Sequence, residues 1–263
     1  MKKIFVGLLS LGLSGHLQAN PIDLSSANLV DLSHTYSADT LYWPTSPSEF
    51  EHKELSYGRT EEGFFYSAYS LCTPEHGGTH LDAPIHFFEG RQTVDEIPLK
   101  NLILPMVVID VSKQSAQDRN YRLTLEDIER FEADHGQIPN GSAILLRTDW
   151  DRYWPDAMGY LGDDEPGDAS NLSFPSFGAE ATEFLVKQRN TKLIGLDTAS
   201  IDYGKSTEFP VHQIVAEANI SALENLTNLK ELPPTGAYII ALPMKVGGGS
   251  GAPVRVAAIL PTQ

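Results

Sequence analysis

Three histidines and an aspartate are concentrated in one eleven-residue stretch that begins at His76 and ends at His86. His80 and Asp82 are two positions apart, so on an extended strand both side chains project from the same face. His76 precedes His80 by four residues, and the two glycines between them allow the backbone to fold the imidazole of His76 toward the same point. Two imidazoles and a carboxylate suit Zn²⁺, Mn²⁺ or Fe²⁺, and three protein ligands leave positions open for water and substrate. The spacing therefore predicts a catalytic metal site formed by His76, His80 and Asp82.

His86 lies on the same stretch, beyond Pro84. A histidine beside a metal that does not need it as a ligand can donate or accept a proton near neutral pH. The alternative is that these histidines only pack in a core or a turn. The density of the cluster favours the metal site.

The composition bounds the protein's partners and its cysteine chemistry. The chain has 263 residues with 19 basic and 35 acidic side chains. An acidic surface repels nucleic acid and anionic lipid, so we expect a small-molecule substrate, with no nucleic-acid or membrane partner. The single cysteine, Cys72, excludes an internal disulfide and thiolate-rich zinc sites. We expect Cys72 to be a small buried residue.

The first residues have the layout of an export signal. Lys2 and Lys3 precede an apolar run that extends from Ile4 to Leu13, and small or polar residues follow as far as Ala19. We expect residues 1–19 to be a signal peptide and residues 20–263 to be the mature domain, periplasmic or secreted. A buried helix or a membrane anchor is the alternative, but the run is shorter than the ~20 residues that span a bilayer.

Strands and helices alternate along the rest of the chain. Buried strands are expected at 104–111, 142–148, 192–197, 237–242 and 254–260. Helices are expected at 124–135, which Thr124 caps and Gly136 ends, at 178–188, and at the centre of 212–226. The acidic and aromatic segment 150–177 is interpreted as a surface excursion, either a lid or a plain insertion. The glycine-rich segment 246–251 is interpreted as a flexible or tight connection. This order predicts an α/β protein with a mixed sheet.

The segment HGGTHLDAPIHF at 76–87 resembles the H-x-G-T-H-x-D-x-P-x-H motif of the cyclase family of metal-dependent hydrolases, which includes bacterial kynurenine formamidases and isatin hydrolases. The resemblance continues through Trp43-Pro44, 104–112, 146–151 and 193–202, and around His212. It therefore covers nearly all of the mature chain. It implies a single α/β domain whose mixed, curved sheet with flanking helices surrounds the metal site. It also implies a homodimer or a larger oligomer.

The resemblance also implies roles for individual residues. His76, His80 and Asp82 match the primary metal ligands, and His86 matches the catalytic histidine. His212 and Glu224, twelve residues apart, match a second metal position of the formamidase branch, so one or two Mn²⁺ or Zn²⁺ ions are expected.

The expected reaction is cleavage of a C–N amide bond, in a small aryl formamide or a cyclic amide, by a metal-activated water. His86 would protonate the departing nitrogen. The aromatic residues Trp43, Phe64, Phe65 and Tyr66 are candidates for stacking on such a substrate, although core packing explains them equally well. The absence of a G-x-S-x-G motif argues against a serine hydrolase.

The sequence is compatible with several alternatives. The chain length and the segments 112–138 and 146–151 resemble isatin hydrolases, whereas Glu224 resembles the formamidases. A family hydrolase could also act on a lactone or another cyclic substrate. A non-catalytic periplasmic metal-binding protein would hold the same ions without turnover, and a structural domain would merely pack its histidines.

Overall fold

The computed structural model describes residues 27–260, so the expected signal peptide at 1–19 lies outside the described part of the chain. The strands of this part are β1 (Leu29–Asp31), β2 (Glu51–Arg59), β3 (Phe65–Cys72), β4 (His80–Asp82), β5 (Ile103–Asp110), β6 (Arg122–Leu123), β7 (Ala143–Arg147), β8 (Ser176–Phe177), β9 (Leu193–Leu196), β10 (Ser221–Glu224), β11 (Tyr238–Pro243) and β12 (Gly251–Ile259). The α-helices are α1 (Ser112–Ser115), α2 (Leu125–His135), α3 (Ala157–Leu161), α4 (Ala179–Arg189) and α5 (Pro210–Glu217).

The main sheet is mixed and curves back on itself. Its eight strands follow the order β1-β12-β11-β5-β7-β9-β10-β4. Strands β5, β7, β9 and β10 are adjacent and run parallel to one another. The other neighbouring strands of the sheet pair antiparallel. The short strand β4 pairs with β10 on one side and with β12 on the other, which closes seven strands into a barrel-like circuit. The expected single-domain α/β fold with a mixed, curved sheet is confirmed.

Successive side chains of the central strands point to opposite faces of the sheet, so the sheet separates two apolar cores. On β5, Met106 and Val108 face the core inside the curve, whereas Val107 and Ile109 face the core under the helices. Helices α2, α4 and α5 cover this second face and complete its core. The cap of α2 is the predicted one, because Thr124 Oγ1 accepts from the Asp127 N–H and the Asp127 carboxylate accepts from the Thr124 N–H.

The expected helix at the centre of 212–226 is wrong. Helix α5 ends at Glu217, and Ser221–Glu224 forms the fully buried strand β10. Asn219 takes a left-handed φ of 54°, which turns the chain out of the helix. Ser221 then pairs in parallel with Leu193 at the start of β9. A tertiary pairing overrides the helical pattern of the sequence here.

Two other expectations are also corrected. The segment 150–177 is not a surface excursion, because its apolar side chains form a buried cluster. The buried members are Trp150, Tyr160, Leu161, Leu172 and Phe174. Cys72 is exposed, because it ends the β2–β3 hairpin, whose strands pair only with each other and leave most side chains on both faces open.

Across residues 27–260, no helix combines the length and the apolar character that a membrane span requires.

Candidate metal centre

Strand β4 places two predicted ligands in the wall of the closed sheet. His80 and Asp82 are both buried on this three-residue strand. Its antiparallel register with β10 sets Glu224 directly opposite His80. Cross-strand partners in an antiparallel pair have Cβ atoms ~5 Å apart, so the register alone brings the Glu224 carboxylate to the His80 imidazole.

Helix α5 brings His212 to the same point. His212 lies in its first turn, directly after Pro210 and Val211, and α5 packs against both β10 and the 3-10 turn Pro84–His86. His212 Nε2 is 3.3 Å from Asp82 Oδ2 and 3.2 Å from Glu224 Oε1. On the other side of Asp82, His80 Nε2 is 3.2 Å and His76 Nδ1 is 2.7 Å from Asp82 Oδ1.

These side chains form two overlapping groups of possible ligands. The first group is His76, His80 and Asp82, and the second is Asp82, His212 and Glu224. In each group, the ligand atoms lie within 4.8 Å of one another. Asp82 belongs to both groups, and each of its two oxygens faces one of them. The structure thus brings together all five predicted ligands, and the donor set of imidazole nitrogen and carboxylate oxygen fits Zn²⁺ or Mn²⁺.

Hydrogen bonds on the outer side of two imidazoles aim their other nitrogen into the site. His80 Nδ1 donates to the Gly78 carbonyl at 3.0 Å, and His212 Nδ1 donates to Asp202 Oδ2 at 2.8 Å. With Nδ1 protonated, the lone pair of a neutral imidazole is on Nε2, which is the atom that a metal requires. Gly78 supplies its carbonyl from a left-handed conformation with φ of 57°, which a glycine adopts without strain.

The carboxylates dominate the electrostatics of the site. Burial opposes ionisation of Asp82, but the neighbouring histidines hold its pKa well below the ordinary value. Burial likewise opposes protonation of His80, yet the hydrogen bond to Asp82 and the charges of Asp82 and Glu224 raise the pKa of His80 to about 9. The same kinds of interaction raise the pKa of His212 well above its ordinary value. Such a buried concentration of negative charge requires positive charge, which a divalent cation supplies.

A cavity of about 250 Å³ opens onto these residues. His76, His80, Asp82, His212 and Glu224 form its polar end. The rest of its wall is mainly apolar and includes Leu41, Trp43, Phe87, Leu161, Ala199 and Phe209. Of the four predicted substrate-stacking residues, only Trp43 lines the cavity. Phe64, Phe65 and Tyr66 lie at the exposed turn of the β2–β3 hairpin and do not line it.

His86 also lines the cavity, beside the ligand groups. Its ring stacks on that of His76, with centroids 3.8 Å apart and planes 16° from parallel. Burial, which outweighs the nearby charge of Asp82, lowers the pKa of His86 to about 4, so the ring is neutral at neutral pH. A residue that transfers a proton must lie within reach of the reacting bond. His86 lies in the cavity beside the ligand groups, as its predicted role requires.

Sequence reasoning missed two polar residues that support the site. Asp202 accepts hydrogen bonds from His212 Nδ1 and from the backbone N–H groups of Val211 and His212. Asn225 lines the cavity and donates from Nδ2 to the Gly78 carbonyl at 2.8 Å. Asp202 ends the segment 193–202 that carried part of the family resemblance, and this was its only signal in the sequence.

Comparisons with known proteins find a family model and relatives that match most of the chain. A family model described as "Putative cyclase" matches residues 30–203. The chain is 35% identical over 218 residues to the isatin hydrolase of Roseibium aggregatum, covering 80% of each chain. It is 31% identical over 229 residues to the kynurenine formamidase of Salinibacter ruber, covering 86% of this chain and 95% of that one. The solved structure of isatin hydrolase A from Labrenzia aggregata, bound to benzyl benzoate, superimposes with a TM-score of 0.83 at 33% identity, covering 90% of this chain and 95% of that one.

Proposed function

This chain belongs to the cyclase family of metal-dependent hydrolases, and we propose that it hydrolyses the C–N amide bond of a small aryl formamide or cyclic amide. One observation carries the proposal. The ligand atoms of three histidines and two carboxylates converge at one end of an apolar cavity, where His86 stands beside them. A metal with positions open to a substrate-sized cavity is the arrangement of a catalytic site.

The resident ions are proposed to be Mn²⁺ or Zn²⁺ at two positions that share Asp82. When bound, a divalent cation acts as a Lewis acid, which polarises a carbonyl oxygen and makes water more acidic. His76 and His80 would hold the first position, and His212 and Glu224 would hold the second. Two ion positions are proposed because the ligands form two overlapping groups.

His86 moves the proton in this proposal. Its neutral ring accepts a proton from the attacking water, and the resulting imidazolium donates that proton to the departing nitrogen. An anilide-type nitrogen leaves more readily than an alkyl amine, and so it makes a suitable substrate. Stacking on His76 fixes the orientation of the His86 ring during both transfers.

The cavity favours a compact aromatic substrate. Its volume is below the ~300–1,000 Å³ of sites for drug-sized ligands. Trp43, Phe87 and Phe209 offer ring faces or edges along the wall, which exclude water from the reacting bond. We therefore place a bicyclic lactam of the isatin type first, supported by the isatin hydrolase relatives. N-formylkynurenine is the second candidate, because the formamidase-like Glu224 faces the site.

Side-by-side assays of isatin and N-formylkynurenine test the proposal. The protein is stripped with a chelator and refilled with Mn²⁺ or Zn²⁺, and the loss of each substrate is followed. Metal-dependent loss of isatin supports the first candidate, and loss of N-formylkynurenine alone supports the second. Metal binding without loss of either substrate would contradict the proposal and favour a non-catalytic metal-binding protein.

We also propose that the chain forms homo-oligomers through the β2–β3 hairpin. An isolated two-stranded hairpin is marginally stable in water, and this one exposes large apolar side chains that a second copy would cover. They include Leu55, Tyr57, Phe64, Phe65, Tyr66, Tyr69 and Leu71, each at least 41% exposed. Light scattering on Phe65→Ser/Leu71→Ser should show a smaller species than the wild type. Leu99→Ser, which changes an exposed leucine elsewhere, should leave the mass unchanged; an unchanged mass in the double variant would refute the interface.

Export is proposed from the N-terminal pattern of Lys2, Lys3 and the apolar run that follows them. Cell fractionation with mass spectrometry of the N-terminus tests it. The proposal predicts a periplasmic or secreted protein that lacks about the first 19 residues, and a full-length cytoplasmic protein would contradict it.

A further inference from the structure

The glycine-rich loop 246–251 lies against the metal centre and contacts His76. Its serine, Ser250, places Oγ 2.9 Å from His76 Nε2. The same Oγ is 2.7 Å from Glu75 Oε2. His76 thus has a neighbour on each ring nitrogen, with Asp82 at Nδ1 and Ser250 at Nε2.

The direction of these hydrogen bonds follows from the chemistry of the groups. An ionised carboxylate only accepts, so the single hydroxyl proton of Ser250 is donated to Glu75. The Ser250 oxygen can then only accept in its contact with His76, which requires a proton on His76 Nε2. In a neutral imidazole with Nε2 protonated, the lone pair is on Nδ1. Nδ1 is the atom that faces Asp82 Oδ1 inside the ligand group.

We propose that Glu75 and Ser250 form a relay that holds His76 in the Nε2-protonated tautomer, so that His76 presents Nδ1 to the metal. His80 and His212 are held the opposite way, with Nδ1 protonated and Nε2 facing the site. Glu75 and Ser250 are positioning residues, because they act on the metal only through His76. This inference rests on the proposed metal-dependent function.

The loop holds Ser250 rigidly at this position. The Ser250 backbone N–H donates to Glu75 Oε2 at 2.9 Å, and the Ser250 carbonyl accepts from the Ala83 N–H at 2.8 Å. One residue further on, Gly251 lies so close to His76 that an added Cβ would stand 2.6 Å from His76 Cε1. A side chain at 251 would therefore displace the imidazole, so glycine is required for the close approach. The sequence predicts a flexible or tight connection at 246–251, and the structure shows a tight turn, in which the Gly249 N–H donates to the Val246 carbonyl at 3.2 Å, that also supports a ligand.

A second anchor of the loop provides a matched control. Asp95 Oδ1 accepts from the Gly248 N–H at 2.9 Å and holds the same loop without contacting His76. Asp95→Ala therefore loosens the loop without touching the relay. Ser250→Ala removes the hydroxyl, and Ser250→Thr retains one.

The test is ¹⁵N NMR of the histidine rings in the Zn²⁺-loaded protein, combined with Zn²⁺ affinities of the variants. We expect His76 to coordinate through Nδ1, and His80 and His212 to coordinate through Nε2. Ser250→Ala should bind Zn²⁺ about 10- to 100-fold more weakly, whereas Asp95→Ala and Ser250→Thr should bind it as the wild type does.

Coordination of His76 through Nε2, or wild-type affinity in Ser250→Ala, would overturn the relay. Its failure is distinguishable from failure of the proposed function. If His76 binds Zn²⁺ through Nδ1 in a protein that hydrolyses no amide, the relay stands and the hydrolase proposal fails. If Zn²⁺ shifts the ¹⁵N resonances of none of these histidines, the relay and the hydrolase proposal are both overturned.

Discussion

His212 donates from Nδ1 to Asp202 Oδ2 at 2.8 Å, and the opposite nitrogen of the same ring faces Asp82 and Glu224. Asp202 also accepts from the backbone N–H groups of Val211 and His212, so one carboxylate fixes both the start of helix α5 and the ring at its first turn. A residue with no place in the ligand groups thus determines which nitrogen of His212 is available to a metal.

Asp202→Asn should therefore weaken metal binding while the protein stays folded. The amide retains one oxygen for the donors around it but loses the charge that favours the Nδ1-protonated ring. We expect about a 10- to 100-fold rise in the Kd for Zn²⁺ or Mn²⁺, measured by competition with a chelating dye. Asp110→Asn, at an exposed carboxylate paired with Arg147, is the control and should bind as the wild type does. Equal affinities in the two variants would contradict this role for Asp202.

His86→Ala should separate metal binding from turnover. His86 lies in the cavity beside the ligand groups but belongs to neither of them, so the variant should retain its metal. Loss of the proton carrier should reduce kcat by about 10²- to 10⁴-fold. Steady-state kinetics with metal analysis check both expectations, and His52→Ala on the exposed hairpin is the control. Full turnover in His86→Ala would place the proton carrier elsewhere.

Glu224→Gln should lower the metal content of the protein. The glutamine keeps an oxygen that can accept from the Ile201 N–H, but it removes the charged ligand of the second group. Elemental analysis after dialysis should find about two ions in the wild type and about one in the variant, because a neutral amide is a weaker ligand than the carboxylate it replaces. Glu217→Ala, at the exposed end of α5, should keep both ions. An unchanged metal content in Glu224→Gln would leave a single-metal site.

The burial of His34 should lower the free energy of unfolding in mild acid. Burial lowers the pKa of His34 from 6.5 to about 4, with its ring stacked 4.2 Å from that of Trp154. Between pH 6.5 and pH 4, His34 is protonated in the unfolded chain but neutral in the folded protein. The free energy of unfolding therefore decreases as the pH falls from 6.5 toward 4. The contribution is about 1–3 kcal/mol.

Thermal unfolding at pH 7.5 and pH 5 tests this contribution. The difference in Tm between the two pH values should be several degrees smaller in His34→Gln than in the wild type. His135→Gln changes an exposed histidine at the end of α2 and should keep the wild-type difference. A His34→Gln variant with the wild-type pH dependence would show that His34 stays protonatable in the folded state.

Local spacing made part of the site predictable from sequence. His80 and Asp82 share one strand face, and His76 and His86 lie within six residues of that pair. Glu224 and Asp202 reach the site only through the register of β4 with β10 and through the first turn of α5. Such long-range pairings leave little trace in the local pattern, so Glu224 was found by resemblance and Asp202 was missed.

Long-range packing also explains where the structure differs from the sequence expectations or adds to them. Phe64, Phe65 and Tyr66 are close to the motif in sequence, but the β2–β3 hairpin carries them away from the cavity. Residues 212–226 have a helical apolar pattern, yet parallel pairing with β9 makes their second half a strand. The loop 246–251 has the composition of a flexible or tight connection, and only its contact with His76 reveals its position at the site.

The most direct test of the central claim is the hydrolysis of isatin by the wild type and by His80→Ala, each stripped with a chelator and refilled with Mn²⁺. His80 is buried in the first ligand group, so its loss should remove the ion of that group and abolish turnover. The proposed function predicts that the stripped wild type is inactive, that Mn²⁺ restores ring opening, and that His80→Ala stays inactive with or without Mn²⁺. An active His80→Ala would contradict the ligand assignment, and a refilled wild type that leaves both isatin and N-formylkynurenine intact would contradict the proposed function.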